Sequence, residues 1–521
     1  MTELTPSNAP LPRKPRHERH QDPPTRIRNL VYQVFPDRFS ASSGDPLQQE
    51  RPRDIHPHLW HAGGHLNGVR ARIPYLQSLG VDAVYLTPIQ PAPSNHKYDA
   101  TSLLGVDERF GGIPALLGLA DDLRQESMGL ILDAVFNHVG SQHDWVKEVL
   151  LNPRSPRALW FRQDAHTPEG MAFWRGHRSL PELDTAQSPV IQHIVDDPDG
   201  PVQYWLNHGI TGFRIDCAND LGWDFCRRIT QATASRRNRD PSIGCDGVIG
   251  EVMAFAASFT RRGRLDGIMN YWFREAVLGW LSGNLPTSQV QGIFEVMFRQ
   301  FHHRSLIRSW NILSSHDTPR IANILPLESQ RLVAFGLQFF LPGIPVLYYG
   351  EEVGMSGGAD PANRLPMDWS AVDCPSDNQP SLSTAIRLMA NLRRRYPVVK
   401  QGRVQVCPSD VHSGVLSFVR YNPACPVDFA ILVASGPETD PRKSQTIFVP
   451  CDGMFDGLPL VDALHSQPTT QLVAKAGTIR IPSMSPNSVA LYVPDPKLKS
   501  GYTFFKPCWY PNSSDRRKES P

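Results

Sequence analysis

Short apolar runs recur along the chain between longer stretches of helical periodicity, and that alternation predicts the architecture. The runs fall at Leu30 to Pro36, Val81 to Pro88, Gly129 to Val135, Gly212 to Asp216, Gly247 to Val252, Leu265 to Asn270, Ser309 to Leu313 and Ile344 to Tyr349. Helical patterns lie between them: one opens after Gly63 to Gly68 and continues through Leu76 and Leu79. Others cover Ile113 to Met128, Val190 to His208, Trp223 to Arg236, Phe273 to Leu281, Ser288 to His303 and Ser329 to Phe340, and a further helix spans Leu382 to Tyr396. Eight short buried strands, each followed by a helix, predict an α/β fold, a parallel (β/α)8 barrel wrapped by helices rather than an open sheet.

Two stretches break the alternation. Between the third strand and the next helix lie about fifty residues, Asn137 to Pro189, rich in tryptophan and poor in regular periodicity, and connections of that length are usually functional. Beyond Pro397 the helical period disappears, and Val415 to Tyr421, Phe429 to Ala434, Gln445 to Val449 and Ser488 to Val493 read as antiparallel strands. The predicted organisation is a disordered, Pro/Arg-rich segment over residues 1–28, a barrel over 29–396 with 137–189 inserted as a subdomain, a separate C-terminal β-sandwich over 397–495, and a polar tail over 496–521.

Composition narrows the partners. The net charge of the 521-residue chain is only +2, so no global field favours nucleic acid. Met1 to Pro24 is too polar and proline-rich for a secretory signal. The most apolar stretch, Leu332 to Tyr349, is broken by Gln338, Pro342, Gly343 and Pro345, which excludes a membrane span there. Eight cysteines without a Cys-x-x-Cys pair look like scattered core thiols, and a reducing cytoplasm is the expected location.

In a barrel of this type the loops at the C-terminal ends of the strands form the active face. Asp133, Asn137 and His138 end the third strand, Arg214 and Asp216 the fourth, and Glu251 the fifth; His316 and Asp317 follow the seventh. Arg214 and Asp216, two apart on a strand, share a face. Alone, that pair is equally readable as a salt bridge plugging the barrel. Acids and histidines recurring at four strand ends on one rim point instead to chemistry.

These residues resemble a known family. Asp133-Ala-Val-Phe-Asn-His138, Gly212-Phe-Arg-Ile-Asp-Cys-Ala-Asn-Asp220, Gly250-Glu251 and Ser315-His316-Asp317 are similar to the four ordered regions of the α-amylase family of glycoside hydrolases. Leu180-Pro-Glu-Leu-Asp184, His316-Asp-Thr-Pro-Arg320 and Tyr348-Tyr-Gly-Glu-Glu-Val-Gly354 resemble its neopullulanase, cyclomaltodextrinase and maltogenic amylase branch. The resemblance implies a retaining glycosidase acting on α-1,4, and in this branch also α-1,6, bonds of maltodextrins, with transglycosylation as a side reaction. Asp216 matches the nucleophile, Glu251 the general acid and base, and Asp317 the third carboxylate. His138 and His316 match hydroxyl-binding histidines, Tyr98 the aromatic platform under the reacting glucose, and Asp360 with Arg364 a pair reaching the non-reducing side. Arg214 is expected to lower the pKa of Asp216, and Glu251 to be less well paired so that it keeps its proton. Asp133 and Asn137 are expected to be scaffold.

The chain also departs from the branch. A β-sandwich usually precedes the barrel, and here only the disordered segment is expected before Leu30, which leaves monomer or homodimer open. Met253 stands where tryptophan is common, and His65 where aspartate is common, the latter read as a surface change. No cofactor is expected: the usual calcium pattern is not met, since Asn137 alone cannot supply six or more oxygen ligands. An α-glucosidase, a sucrose- or trehalose-type transferase, and a non-catalytic sugar- or partner-binding relative are the rival readings. The partner expected is an oligosaccharide, with neither nucleic acid nor membrane.

Overall fold

A computed structural model describes residues 27–42, 46–239, 245–373, 382–408, 414–454, 456–465 and 472–495. The N-terminal segment up to residue 26 and the tail from 496 lie outside the described residues.

Eight parallel strands run β1 (Val31–Val34), β2 (Ala83–Leu86), β3 (Gly129–Ala134), β4 (Gly212–Ile215), β5 (Gly247–Gly250), β6 (Gly267–Ile268), β7 (Trp310–Ile312) and β8 (Ile344–Tyr348). They pair in the order β6-β5-β4-β3-β2-β1-β8-β7. A bridge between Met269 and Trp310 closes β6 onto β7, so the sheet becomes a barrel. Alternate residues separate cleanly, as strand geometry requires. Val31, Tyr85, Ile131, Ile249, Trp310, Ile312 and Val346 fill the barrel interior, while Tyr32, Val84, Leu86, Leu130, Leu132, Phe213 and Val248 pack outward against the helices. Each predicted strand is found within two or three residues of its expected limits.

The helical predictions needed more correction. The segment expected as one helix, Val190 to His208, is Ser188–Ile191, a π-helical turn Gln192–Asp196 and a separate helix Pro201–Asn207. Gly200 and Pro201 interrupt it, and proline tolerates only the first turn of the new helix. The insertion contains a helix after all, Asp144–Leu151, which buries Trp145, Val146 and Val149. The N-terminal boundary also shifts: Arg28 is buried and ion-pairs with Asp246, so it belongs to the barrel rather than to a disordered leader.

Eight more strands follow: β9 (Arg403–Val406), β10 (Val415–Asn422), β11 (Cys425–Ser435), β12 (Gln445–Phe448), β13 (Pro459–Asp462), β14 (Leu472–Val473), β15 (Thr478–Ile481) and β16 (Val489–Pro494). Six form an antiparallel sheet in the order β14-β13-β16-β11-β10-β9, and β12 pairs with β15 as a ribbon. The four strands missing from the sequence prediction, β9, β13, β14 and β15, are two to four residues long and each only partly buried. Along β10 and β11 the side chains divide by face. Val415, Val419, Ile431 and Val433 meet Ile447, Ile479 and Ile481 of the ribbon; Leu416, Phe418, Ala430, Leu432 and Ala434 are continuous with the barrel's helical core. Arg420 reinforces the joint by donating to the Phe340 carbonyl at 2.8 Å, at the C-terminus of the helix Glu328–Phe340.

Phe418 is fully buried in that joint, against Phe294 and Phe298 of the helix Thr287–Gln300. Phe418→Ala should cost about 3–5 kcal/mol. Urea unfolding followed by tryptophan fluorescence and by circular dichroism should show barrel and sheet weakening in one shared transition; a barrel transition unmoved by the substitution would contradict the shared core.

Candidate active site

The site is built around one arginine. Asp133 on β3 is the register neighbour of Arg214 on β4, and both side chains are fully buried. Arg214 Nη1 donates to Asp133 Oδ1 and Oδ2 at 2.8 and 2.9 Å and to Asp216 Oδ1 at 3.0 Å. Its Nη2 lies 3.1 Å from Glu251 Oε2 and 3.8 Å from Asp317 Oδ2. Asp216 follows β4 directly, and the chain then turns through Cys217 at φ 46°, a conformation uncommon for a side-chain-bearing residue. The turn aims the Cys217 N–H at Glu251 Oε2, 2.9 Å away, and the Ala218 N–H at the Glu251 carbonyl. An oxygen of Asp216 and one of Glu251 therefore lie within 4.8 Å of each other.

Two electrostatic expectations change. Arg214 does lower the pKa of Asp216, but burial outweighs it, and Glu251, Asp133 and Asp317 add to the burial effect, so the carboxyl is held well above its ordinary range. Glu251 is not the less-paired acid: it has both the guanidinium contact and the Cys217 amide. Sequence spacing identifies which acids share a rim but not how many share one cation. Asp133 and its two tyrosines act as scaffold in the geometric sense. Tyr85 and Tyr98 donate to Asp133 Oδ2 at 2.6 and 2.8 Å, and these bonds with Arg214 oppose the burial that raises its pKa.

His316 completes a chain of bonds across the floor. Gln33 Nε2 is 2.7 Å from His316 Nδ1, and His316 Nε2 bonds Tyr98 Oη. With the Gln33 amide as donor, Nδ1 accepts, Nε2 carries the proton, and Tyr98 passes its own to Asp133. Burial, with Arg214 and Arg364 adding, holds the imidazole neutral. His138 is also buried, its pKa pushed down to about 4 by burial, with a hydrogen bond to the Tyr98 backbone opposing. The Trp174 ring, from the insertion, lies 5.5 Å from it. Gly140 allows this wall to close: a Cβ there would meet the Asp99 carbonyl at 2.2 Å. The structure brings Tyr98, Arg214, Asp216, Glu251, His316 and Asp317 into one network of bonds and ion pairs, with His138 against the Tyr98 backbone. Gln33 and Tyr85 escaped the sequence reading, although a glutamine inside an apolar strand was a visible signal.

Beyond β7 the segment carrying His316 and Asp317 is tied down from the segment after β8. Asn363 Nδ2 donates to the His316 and Thr318 carbonyls at 2.7 and 3.0 Å, and Arg364 Nε donates to the His316 carbonyl at 2.9 Å. The Arg364 guanidinium also reaches Asp317 at 3.5 Å and Asp360 at 3.1 Å. No sequence signal marked Asn363. Met253 is exposed, two residues beyond Glu251. His65 is half-buried and caps the helix Leu66–Ala71 by accepting the Asn67 N–H, so it is more than a surface change. Among the described residues the one cluster with metal-ligand spacing is Asp216, Cys217 and Glu251, and its two acids already face Arg214.

Glu351 supports the same segment, accepting from Ser314 Oγ at 2.5 Å. Burial pushes its pKa from 4.5 up to about 7, with Arg320 opposing. Its stabilising, protonated form is fully present below about pH 4.5 and is lost as pH rises through about 7, a change of about 3 kcal/mol. Glu351→Gln should therefore match wild type near pH 4.5 and exceed its stability by up to about that amount above pH 7. Parallel curves of melting temperature against pH would refute this.

The comparisons with known proteins agree with the geometry. The family described as "Alpha amylase, catalytic domain" matches residues 33–375. Neopullulanase 2 of Thermoactinomyces vulgaris is 31% identical over 404 residues, 75% of this chain and 67% of that one. The cyclomaltodextrinase of Geobacillus thermopakistaniensis is 29% identical over 74% of this chain and 66% of its own, so the alignments span about two thirds of these relatives. Among solved structures, the cyclic alpha-maltosyl-(1→6)-maltose hydrolase of Arthrobacter globiformis superposes with a TM-score of 0.72 at 25% identity, covering 89% of this chain and 98% of that one. Ttha1563 of Thermus thermophilus gives 0.73 at 27%, with the same coverages. With the barrel, the carboxylate rim and the family match in agreement, the chain is a glycosidase belonging to the alpha-amylase family.

Proposed function

We propose that the chain is a retaining hydrolase of α-1,4, and to a lesser extent α-1,6, glucosidic bonds in maltodextrins, working through a covalent glycosyl-enzyme on Asp216. The observation that carries this reading is the proximity of the two acids, whose oxygens approach within 4.8 Å. Retaining glycosidases hold their carboxyl groups about 5–5.5 Å apart, whereas inverting ones leave roughly 6.5–9.5 Å for a water. The printed names of the relatives, a neopullulanase, a cyclomaltodextrinase and a cyclic maltosyl-maltose hydrolase, support a short α-glucan as substrate. A relative in Bacillus subtilis is named an intracellular maltogenic amylase, in keeping with a cytoplasmic location, and no described helix is long and apolar enough to cross a membrane.

The chemistry follows from four acids competing for one guanidinium. Burial holds the Asp216 carboxyl well above its ordinary range, with Glu251, Asp133 and Asp317 adding and Arg214 opposing, so a proton is kept in the site beside Glu251. When the sugar enters, Glu251 gives that proton to the glucosidic oxygen as the bond to the anomeric carbon breaks, and an Asp216 oxygen attacks the same carbon. Arg214 pairs the Asp216 carboxylate before the attack and, once that group is an uncharged ester, the Glu251 carboxylate left by the proton transfer. In the second half Glu251 takes a proton from water, the water oxygen bonds the anomeric carbon, and the bond to Asp216 breaks. Asp317, held by Arg364 and beside His316 Nε2 at 3.2 Å, and His138 on the opposite wall are placed to take sugar hydroxyls. A saccharide acceptor in place of water gives transglycosylation by the same route.

The reading is tested by reducing-sugar release from maltotriose together with the anomer of the first product by NMR. Glu251→Gln should lose about 10²–10⁴-fold in kcat, Asp216→Asn should fall to background, and the first product should be the α-anomer. A β-anomer would exclude retention; equal rates in wild type and Asp216→Asn would exclude the enzyme.

A further inference from the structure

The lysine next to Tyr98 breaks two ordinary rules. Lys97 is fully buried, and its backbone lies in the left-handed region at φ 66°, where residues with a side chain are uncommon. A conformation of that kind persists only where the surroundings impose it. Here they act at the far end of the side chain. Lys97 Nζ donates to Asp107 Oδ2 at 2.5 Å and to the Ala92 carbonyl at 3.2 Å, and it lies 5.3 Å from the centre of the Phe110 ring. Three neighbours thus surround an ammonium that has three N–H groups to give.

Asp107 is fixed in turn. Its backbone N–H donates to the Ile89 carbonyl at 2.8 Å, and its side chain caps the 3-10 turn Glu108–Phe110 by accepting the Arg109 N–H at 2.9 Å. Burial alone would raise its pKa, and the bonds from Lys97 and the Arg109 amide more than offset that, so the partner of Lys97 is a carboxylate. Losing one member would leave an uncompensated buried charge. What the pair holds is the residue beside it. The Lys97 N–H donates to Ser94 Oγ at 3.1 Å and the Tyr98 N–H to His96 Nδ1 at 3.2 Å, and at this turn the two side chains part. Lys97 runs to Asp107, while the Tyr98 hydroxyl runs into the acid cluster, where it meets His316 Nε2, Asp133 Oδ2 at 2.8 Å and Arg214 Nη1 at 3.4 Å.

Resting on the glycosidase reading above, we propose that the buried Lys97–Asp107 pair is a positioning device for Tyr98. It holds residue 97 in the left-handed turn that sets the Tyr98 hydroxyl between His316 and Asp133, and so acts on the acid cluster from outside it. Lys97→Met and Tyr98→Phe, singly and together, test this through kcat and KM on maltotriose and through the melting temperature. Lys97→Met should lower kcat on the order of 10–10²-fold, the effect of a group displaced by about an ångström, with the loss in kcat rather than KM. In the Tyr98→Phe background there is no hydroxyl to place, and the same substitution should then change kcat by about twofold or less. The melting temperature should fall equally in both backgrounds, which separates positioning from stability. Asp107→Asn, which keeps the shape of the side chain, should repeat the pattern, and it carries the test if Lys97→Met does not fold. Equal losses of kcat in both backgrounds, or a loss in neither, would overturn the proposal. If wild type releases no sugar from maltotriose, the glycosidase reading itself fails, and the role of the pair falls with it.

Discussion

Four carboxylates meet one guanidinium at the C-terminal face of the barrel, and the rest of the cleft depends on that imbalance. Arg214 is fully buried, bonded on one nitrogen to Asp133 and Asp216 and close on the other to Glu251 and Asp317. Isolated in a low-dielectric interior, any of these acids would lose its charge, and Arg214 alone would be an uncompensated cation. Together they fix one another. The surplus of acid over base, with burial, holds Asp216 above its ordinary range, which suits the acid chemistry proposed above. Asp216, rather than escaping its environment through the arginine, is raised by burial and by its neighbours. The ionisation of Asp216 is thus set by the whole cluster rather than by Arg214 alone.

Such a cluster works only if its members stay where they are, and the surrounding structure fixes them by backbone contacts. The turn at Cys217 sends two amides to Glu251. Asn363 and Arg364 hold the carbonyls of the Asp317 segment, while Arg320 donates to the Tyr349 carbonyl at 2.6 Å and the Asn363 carbonyl at 2.9 Å. These cations and amides neutralise the carbonyls of loops that would otherwise be buried without partners. The same device reaches outward through Arg38, which joins the loop after β1 to the segment after β8. Loop positions in this barrel are therefore settled by a few buried arginines and asparagines rather than by apolar packing.

Much of the fold was legible in the sequence. A strand in this barrel is a short run of apolar residues with both faces covered, and β1 to β8 announce themselves in that way. The C-terminal sheet was legible where its strands are long, as in β10 and β11, and not where they are two to four residues with one exposed face, as in β9 and β14. That the candidate acids share one rim was legible because strand ends in a barrel all lie on one face, so their order along the chain reports their place in space. Helix breaks were less so: the division of the segment from Val190 to His208 depends on a π-helical turn that the apolar spacing does not reveal.

The sequence by itself thus determined the (β/α)8 barrel, the antiparallel strands beyond it and the set of side chains on the reactive rim. Those follow from local periodicity and from the one-rim geometry, which act along the chain. Only the tertiary structure decided that Glu251 shares Arg214 with Asp216, that burial prevails over the arginine at Asp216, that Gln33 and Tyr85 complete the floor, and that Asn363 holds the Asp317 segment. Each of these is a contact between residues far apart in sequence, or a balance of desolvation against charge, and neither quantity exists until the chain has closed on itself.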